Sequence, residues 1–74
     1  MIKEHDTVAL ARDLPEQGLT RGDLGIVVHV HESNGAYEVE FVTLTGDTID
    51  VVTLEAGDVR PIREREIAHA RQVA

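Results

Sequence analysis

The chain has no cysteine among its 74 residues. That excludes a disulfide framework and any thiolate metal site. It also lacks an apolar run of the ~18 residues that a membrane-crossing helix needs, so no membrane partner is expected. Its first ten residues, MIKEHDTVAL, are charged and carry no apolar stretch of signal-peptide type. The expectation is a cytosolic protein. Basic residues are few: seven Lys and Arg stand against fourteen Asp and Glu, for a net charge of −7. The deficit is uneven. Residues 1–62 hold four basic residues (Lys3, Arg12, Arg21, Arg60) against twelve acidic ones, or −8. Residues 63–74 hold Arg63, Arg65 and Arg71 against Glu64 and Glu66, or +1. A nucleic-acid binder needs cationic surface to displace counterions from phosphates, so no nucleic acid is expected as partner. The field of the main body attracts basic partners instead.

What the chain does have is a series of short β-type segments. Its length makes one domain with a small core, since a chain of this size buries only about 60 % of its unfolded surface. Thr7–Ala11 places Val8 and Leu10 on one side. Arg12–Asp23, with one proline and two glycines, reads as a long polar connection. Leu24–Glu32, Tyr37–Thr43 and Thr48–Leu54 are alternating, β-branched runs. Glu55–Asp58 reads as a turn or a single 3-10 turn. Val59–Ile62 reads as a last strand, which Pro61 places at a sheet edge. The final segment, REREIAHARQVA, has helix-forming composition, with Ile67, Ala70 and Ala74 on one side.

Asn34-Gly35 is a strong signal for a two-residue hairpin loop. That loop makes Val30 face Val39 and Val28 face Phe41, as core pairs. His31 then faces Glu38, His29 faces Glu40 and Val27 faces Val42, all on the outer side. A slip of one residue would mix the two sets. For the second hairpin, a three-residue loop at Thr45–Asp47 sets Phe41 opposite Val51 and Thr43 opposite Ile49. A two-residue loop sets Phe41 opposite Val52 instead. In the first case Val42, Leu44 and Val52 point away from the core. The meander therefore has more apolar side chains than one face holds, which suggests a small, partly open barrel.

His29 and His31 lie two apart, so their rings share one strand face. Zinc or iron would want a further ligand, and Glu38 or Glu40 is placed to offer one. An open sheet face does not exclude water or rival ligands, so the reading is cross-strand surface pairing, with no metal and no cofactor. Glu38 and Glu40 share a face but sit in no cleft that would shift a carboxylate for acid–base work. No nucleophile elbow, phosphate loop or dinucleotide fingerprint is present, so no catalytic residue is assigned and no enzyme is expected. Gly22-Asp23 reads as a tight turn into the Leu24 strand, and Gly25 as a bend at a barrel corner. The Asp13–Arg21 loop is an alternative recognition surface. The outward row of Val27, His29, His31, Glu38, Glu40 and Val42 is the expected interface, with Leu44 or Val52 extending it.

The segments DLPEQGLTRGDLGIVVHV and YEVEFVTLTGDTIDVVTLEAGDVRPI resemble a short bacterial family described as a domain of unknown function. The resemblance covers about residues 1–62. It rests on the LPE-x-GL-x-x-GD-x-G-x-VV, EVEF, TL-x-GDT and VVTLEA segments occurring together and in order. It implies an SH3-like small β-barrel. Members are often encoded beside toxin-like genes, which implies an antitoxin-like, partner-binding role. The GD-x-G-x-VV piece is more weakly similar to KOW-type modules and to the barrel of the nitrile hydratase β chain. KOW modules are usually basic where this chain is acidic.

The resulting expectation is an all-β, SH3-like barrel of about five strands over residues 1–62, with a C-terminal helical segment at 63–74. Its expected function is a non-catalytic, acidic protein-binding module, an antidote to a basic protein. The alternatives are a self-associating homodimer and a KOW-like RNA-binding module.

Overall fold

Apolar residues on alternating positions need one covered face, and five strands supply it here. The structure, a computed structural model, describes residues 1–73. The strands are β1 (Thr7–Leu10), β2 (Leu24–His31), β3 (Ala36–Val42), β4 (Thr48–Leu54) and β5 (Val59–Pro61). They form one antiparallel sheet in the order β4-β3-β2-β1-β5. The fold is therefore all-β. The sheet does not close, and β4 and β5 are its two edges. Among the described residues, no helix is long and apolar enough to cross a membrane.

Buried Val8, Leu10, Val27, Val39, Phe41, Leu54 and Val59 form the core, with Ile2, Val30, Tyr37, Ile49 and Val52 packed against it. Leu14 and Leu19 complete it from within the connection that the sequence presents as polar. Their backbones bond to each other in both directions, at 2.9 and 3.1 Å, around a 3-10 turn at Pro15–Gln17. The loop thus folds back to deliver two leucines to the core.

Both hairpin registers differ from expectation. The first loop has four residues, Glu32–Gly35, between β2 and β3. The His31 carbonyl accepts the Asn34 amide at 3.3 Å and the Gly35 amide at 2.9 Å. Gly35 takes φ 72°, whereas Asn34 is not left-handed, so the two-residue turn does not form. His31 pairs with Ala36, Val30 with Tyr37 and His29 with Glu38. Val28 is then an extra residue, after which Val27 pairs with Val39 and Ile26 with Glu40. Val27, expected outside, is fully buried, and Val28, expected inside, is exposed. The second loop is longer too: Val39 pairs with Val52 and Phe41 with Asp50, and Ile49 is the extra residue. Val52 packs against the core instead of pointing away. Such bulges bend and twist the strand that carries them, here β2 and β4 on either side of β3.

The helical segment expected at 63–74 is not formed over residues 63–73, and Ala74 lies outside the described residues. Residues 63–73 contain a turn at Glu64-Arg65 and otherwise run without regular structure. Arg65 takes φ 65°. A second 3-10 turn, Ala56–Asp58, precedes β5.

Candidate functional site: the outer face and the β4 edge

Side chains that alternate with the core residues form the outer face. Of the six residues expected there, His29, His31, Glu38, Glu40 and Val42 lie on it or at its margin, and Val27 does not. Glu38 is the hub. His31 Nε2 donates to its Oε2 at 2.6 Å, and Thr53 Oγ1 from β4 bonds both carboxylate oxygens at 2.8 Å. His31 first, then Thr53, holds the Glu38 carboxyl below its ordinary range. This is a diagonal contact, because the backbone partner of His31 is Ala36.

His29 stacks edge-on against His31, with ring centroids 4.7 Å apart. Its Nδ1 lies 3.5 Å from Glu4 Oε2, not beside Glu40. Glu40 instead accepts Thr48 Oγ1 at 2.9 Å. The register shift thus separates the expected His29–Glu40 pair. Among the described residues, no three His, Asp or Glu side chains converge as a metal site would require.

Beside these polar pairs, exposed apolar side chains lie on β2, β3 and β4, with Glu40 among them. Ile26 of β2, Glu40 of β3 and Val51 of β4 are successive cross-strand partners. Leu24, Ile26, Val42 and Val51 are each between 40 and 48 % exposed, and Leu44 is 91 % exposed. A shallow hollow of about 180 Å³ lies between Ile26, Val42 and Leu44. Sequence reasoning found Val42 and Leu44 but missed Leu24, Ile26 and Val51. Their outward placement depends on the registers.

Charge on this half of the molecule has one sign. From Leu24 to Val59 there is no lysine or arginine. The same span holds Glu32, Glu38, Glu40, Asp47, Asp50, Glu55 and Asp58. Three of the seven basic side chains, all outside this span, are held in ion pairs. Arg12 bonds Asp58 at 2.7 Å, Arg60 makes a two-pronged pair with Glu66, and Arg71 does the same with Asp23.

The Asp13–Arg21 loop, the alternative recognition surface, is internally tied. Asp13 Oδ1 accepts the Arg21 amide at 2.8 Å. The loop's Leu14, Pro15 and Gln17, with Arg12, border a groove of about 290 Å³ whose other wall is Val52–Leu54 of β4.

No curated protein and no solved structure matches the chain. Residues 4–61, from just before β1 to the end of β5, match one family model, and the chain belongs to that family, a domain of unknown function (DUF4926).

Proposed function

We propose that this chain is a non-catalytic protein-binding module whose partner is a basic protein, in an antitoxin-like role in the bacterial cytoplasm. The observation that carries the reading is the charge of the β2–β3–β4 half, five carboxylates between Leu24 and Leu54 with no lysine or arginine, beside exposed apolar side chains. Carboxylates steer a cationic partner inward, and a desolvated apolar patch supplies the affinity that steering alone does not. The scaffold is an SH3-like, partly open barrel. The long first connection, the sheet order β4-β3-β2-β1-β5, the two bulges and the 3-10 turn before β5 support that description.

A second reading, self-association through Leu24, Ile26, Val42 and Val51, is favoured by their exposure. The net charge of −7 on every copy opposes it.

The test is cross-linked capture from the native host, then binding kinetics with the purified partner. The expected partner is basic, and its association should slow as salt rises through ~0.15 M, where charges are screened over about 8 Å. Sedimentation alone should give a mass near 8.1 kDa. An acidic partner, retention on RNA, or a dimeric mass would overturn the reading.

A further inference from the structure

We propose that the free edge of β4 is a strand-addition site for an extended, cationic segment of the partner. The inference rests on the protein-binding reading above and specifies how the partner is held.

Backbone direction along β4 follows from the hairpin. The Thr43 amide donates across it to the Asp47 carbonyl at 2.7 Å. Alternate residues of β3, namely Phe41, Val39 and Tyr37, therefore turn their amides toward β4. They meet Asp50, Val52 and Leu54. Val51 and Thr53 consequently direct their backbone groups out of the sheet. The Val51 amide has a substitute partner, the adjacent Asp50 Oδ1 at 2.8 Å. A side chain here covers a donor that an added strand would use.

The two sheet edges are treated differently. β5 is three residues long and ends in Pro61, which cannot donate. β4 is seven residues long, has no proline or lysine, and leaves Val51 about half exposed. Its C-terminal half borders the groove opposite Arg12–Gln17, which leaves space alongside the edge.

Charge selects the occupant. With an antiparallel incoming strand that sets a valine opposite Val51 as its hydrogen-bonded pair, Val51 gains an apolar neighbour. Residues on either side of that valine then lie opposite Asp50 and Val52. A lysine or arginine there meets the Asp50 carboxylate as it releases the Val51 amide to the new strand. A neutral strand would leave that carboxylate without a partner. An acidic one would set like charge against Asp50.

The probe is a seven-residue capped peptide of alternating lysine and valine. Two derivatives are N-methylated, one at every valine and one at every lysine. Each methyl set blocks the donors along one edge of the peptide and leaves its charge unchanged. The valine-methylated peptide is expected to bind about tenfold or more weaker than the lysine-methylated one, because one or more hydrogen bonds are lost. The unmodified peptide should shift the Val51 and Thr53 amide resonances. Val51→Pro, which removes a donor that β3 does not use, should abolish binding while the other sheet resonances persist.

Equal affinity for the two methylated peptides would overturn strand addition and leave the basic-partner reading standing. Equal binding of a serine-for-lysine peptide would overturn the cationic preference. A concentration-dependent mass abolished by Val51→Pro would assign the edge to a second copy and overturn the proposal. Failure of every peptide, together with capture of a basic partner, would reject the edge and not the function.

Discussion

Glu38 sits at the meeting point of three strands, and His31 reaches it diagonally, Nε2 to Oε2 at 2.6 Å. The carboxylate is held in its charged form by that contact and by Thr53. A group whose folded pKa is depressed contributes stability that is present above its unfolded pKa, near ~4.3 for glutamate. That contribution is lost as pH falls through the lower folded value. Glu38→Gln is therefore expected to reduce the difference in melting temperature between neutral and acid pH. In His31→Ala, carboxyl NMR titration should find Glu38 moved back toward its ordinary range. An unchanged Glu38 titration would show that the contact is not populated in solution.

Gly25 is required for space, not for an unusual backbone angle. A Cβ there would lie 2.5 Å from Val39 Cγ1 and 2.8 Å from Phe41 Cε1. Both neighbours are buried, so neither can swing into solvent. Gly25→Ala should destabilise the fold by about 1–3 kcal/mol through overpacking. Gly35→Ala meets no atom within 4 Å but must keep φ 72°, and should cost roughly 1–2 kcal/mol for that reason. Denaturant melts of the two variants test the distinction. Val39→Ala, which removes the nearer obstruction, should partly relieve the first substitution and leave the second unaffected.

Strand positions were legible because alternation of apolar and polar residues marks a half-buried strand wherever its partners are. β4 spans Thr48–Leu54 as its pattern indicates, and Pro61 does mark an edge. Register was not legible, because Asn34-Gly35 is compatible with more than one loop. The longer loop uses Gly35 alone in the left-handed region and caps the Ala36 amide with Asn34 Oδ1 at 3.1 Å. Bulges at Val28 and Ile49 then add a residue to β2 and to β4 opposite β3, at places that local pattern does not encode. The loop leucines Leu14 and Leu19 were hidden among polar neighbours. Gly25 was readable as special, but its reason lies in the side chains of another strand. The residues after 62 have helical composition, yet arginine–carboxylate pairs hold them in another path. Of the site, the histidine–carboxylate face was visible in sequence, whereas the exposed apolar side chains and the β4 edge follow from register.

Val27 and Val42 give the sharpest test of that register. Expected as cross-strand partners, they lie on opposite sides of the sheet: Val27 is fully buried and Val42 is 41 % exposed. Val27→Ala should cost about 2 kcal/mol, the transfer of two methyl groups' worth of surface plus a small cavity. Val42→Asp should cost under about 1 kcal/mol, as surface changes usually do. It should speed dissociation of a bound partner if the exposed apolar side chains are part of the interface. Similar losses of stability in the two variants would contradict the observed pairing of Val27 with Val39.

The C-terminal segment is expected to be docked by charge and to release in acid. Arg60 donates to both oxygens of Glu66 at 2.9 and 2.6 Å, and the Arg63 amide adds a third bond at 2.6 Å. Together they bring the Glu66 carboxyl down to about 2, with the Arg60 hydrogen bonds first in importance. Further along, Arg71 bonds Asp23 with two nitrogens, reaches the Gly18 carbonyl at 3.3 Å, and lowers the Asp23 carboxyl as well. Both carboxylates are depressed, so docking is complete above their ordinary values of ~4 and weakens as pH falls toward about 2. Among the described residues, none beyond Val59 belongs to the buried core. A chain ending at Ile62 should therefore keep its β-type circular dichroism, with a modest fall in melting temperature. Arg60→Ala should return Glu66 toward ~4.3 by carboxyl NMR titration, and Arg71→Ala should raise Asp23 without moving Glu66. Loss of the sheet on truncation, or a Glu66 titration indifferent to Arg60, would mean that this segment is held by contacts other than these two arginines.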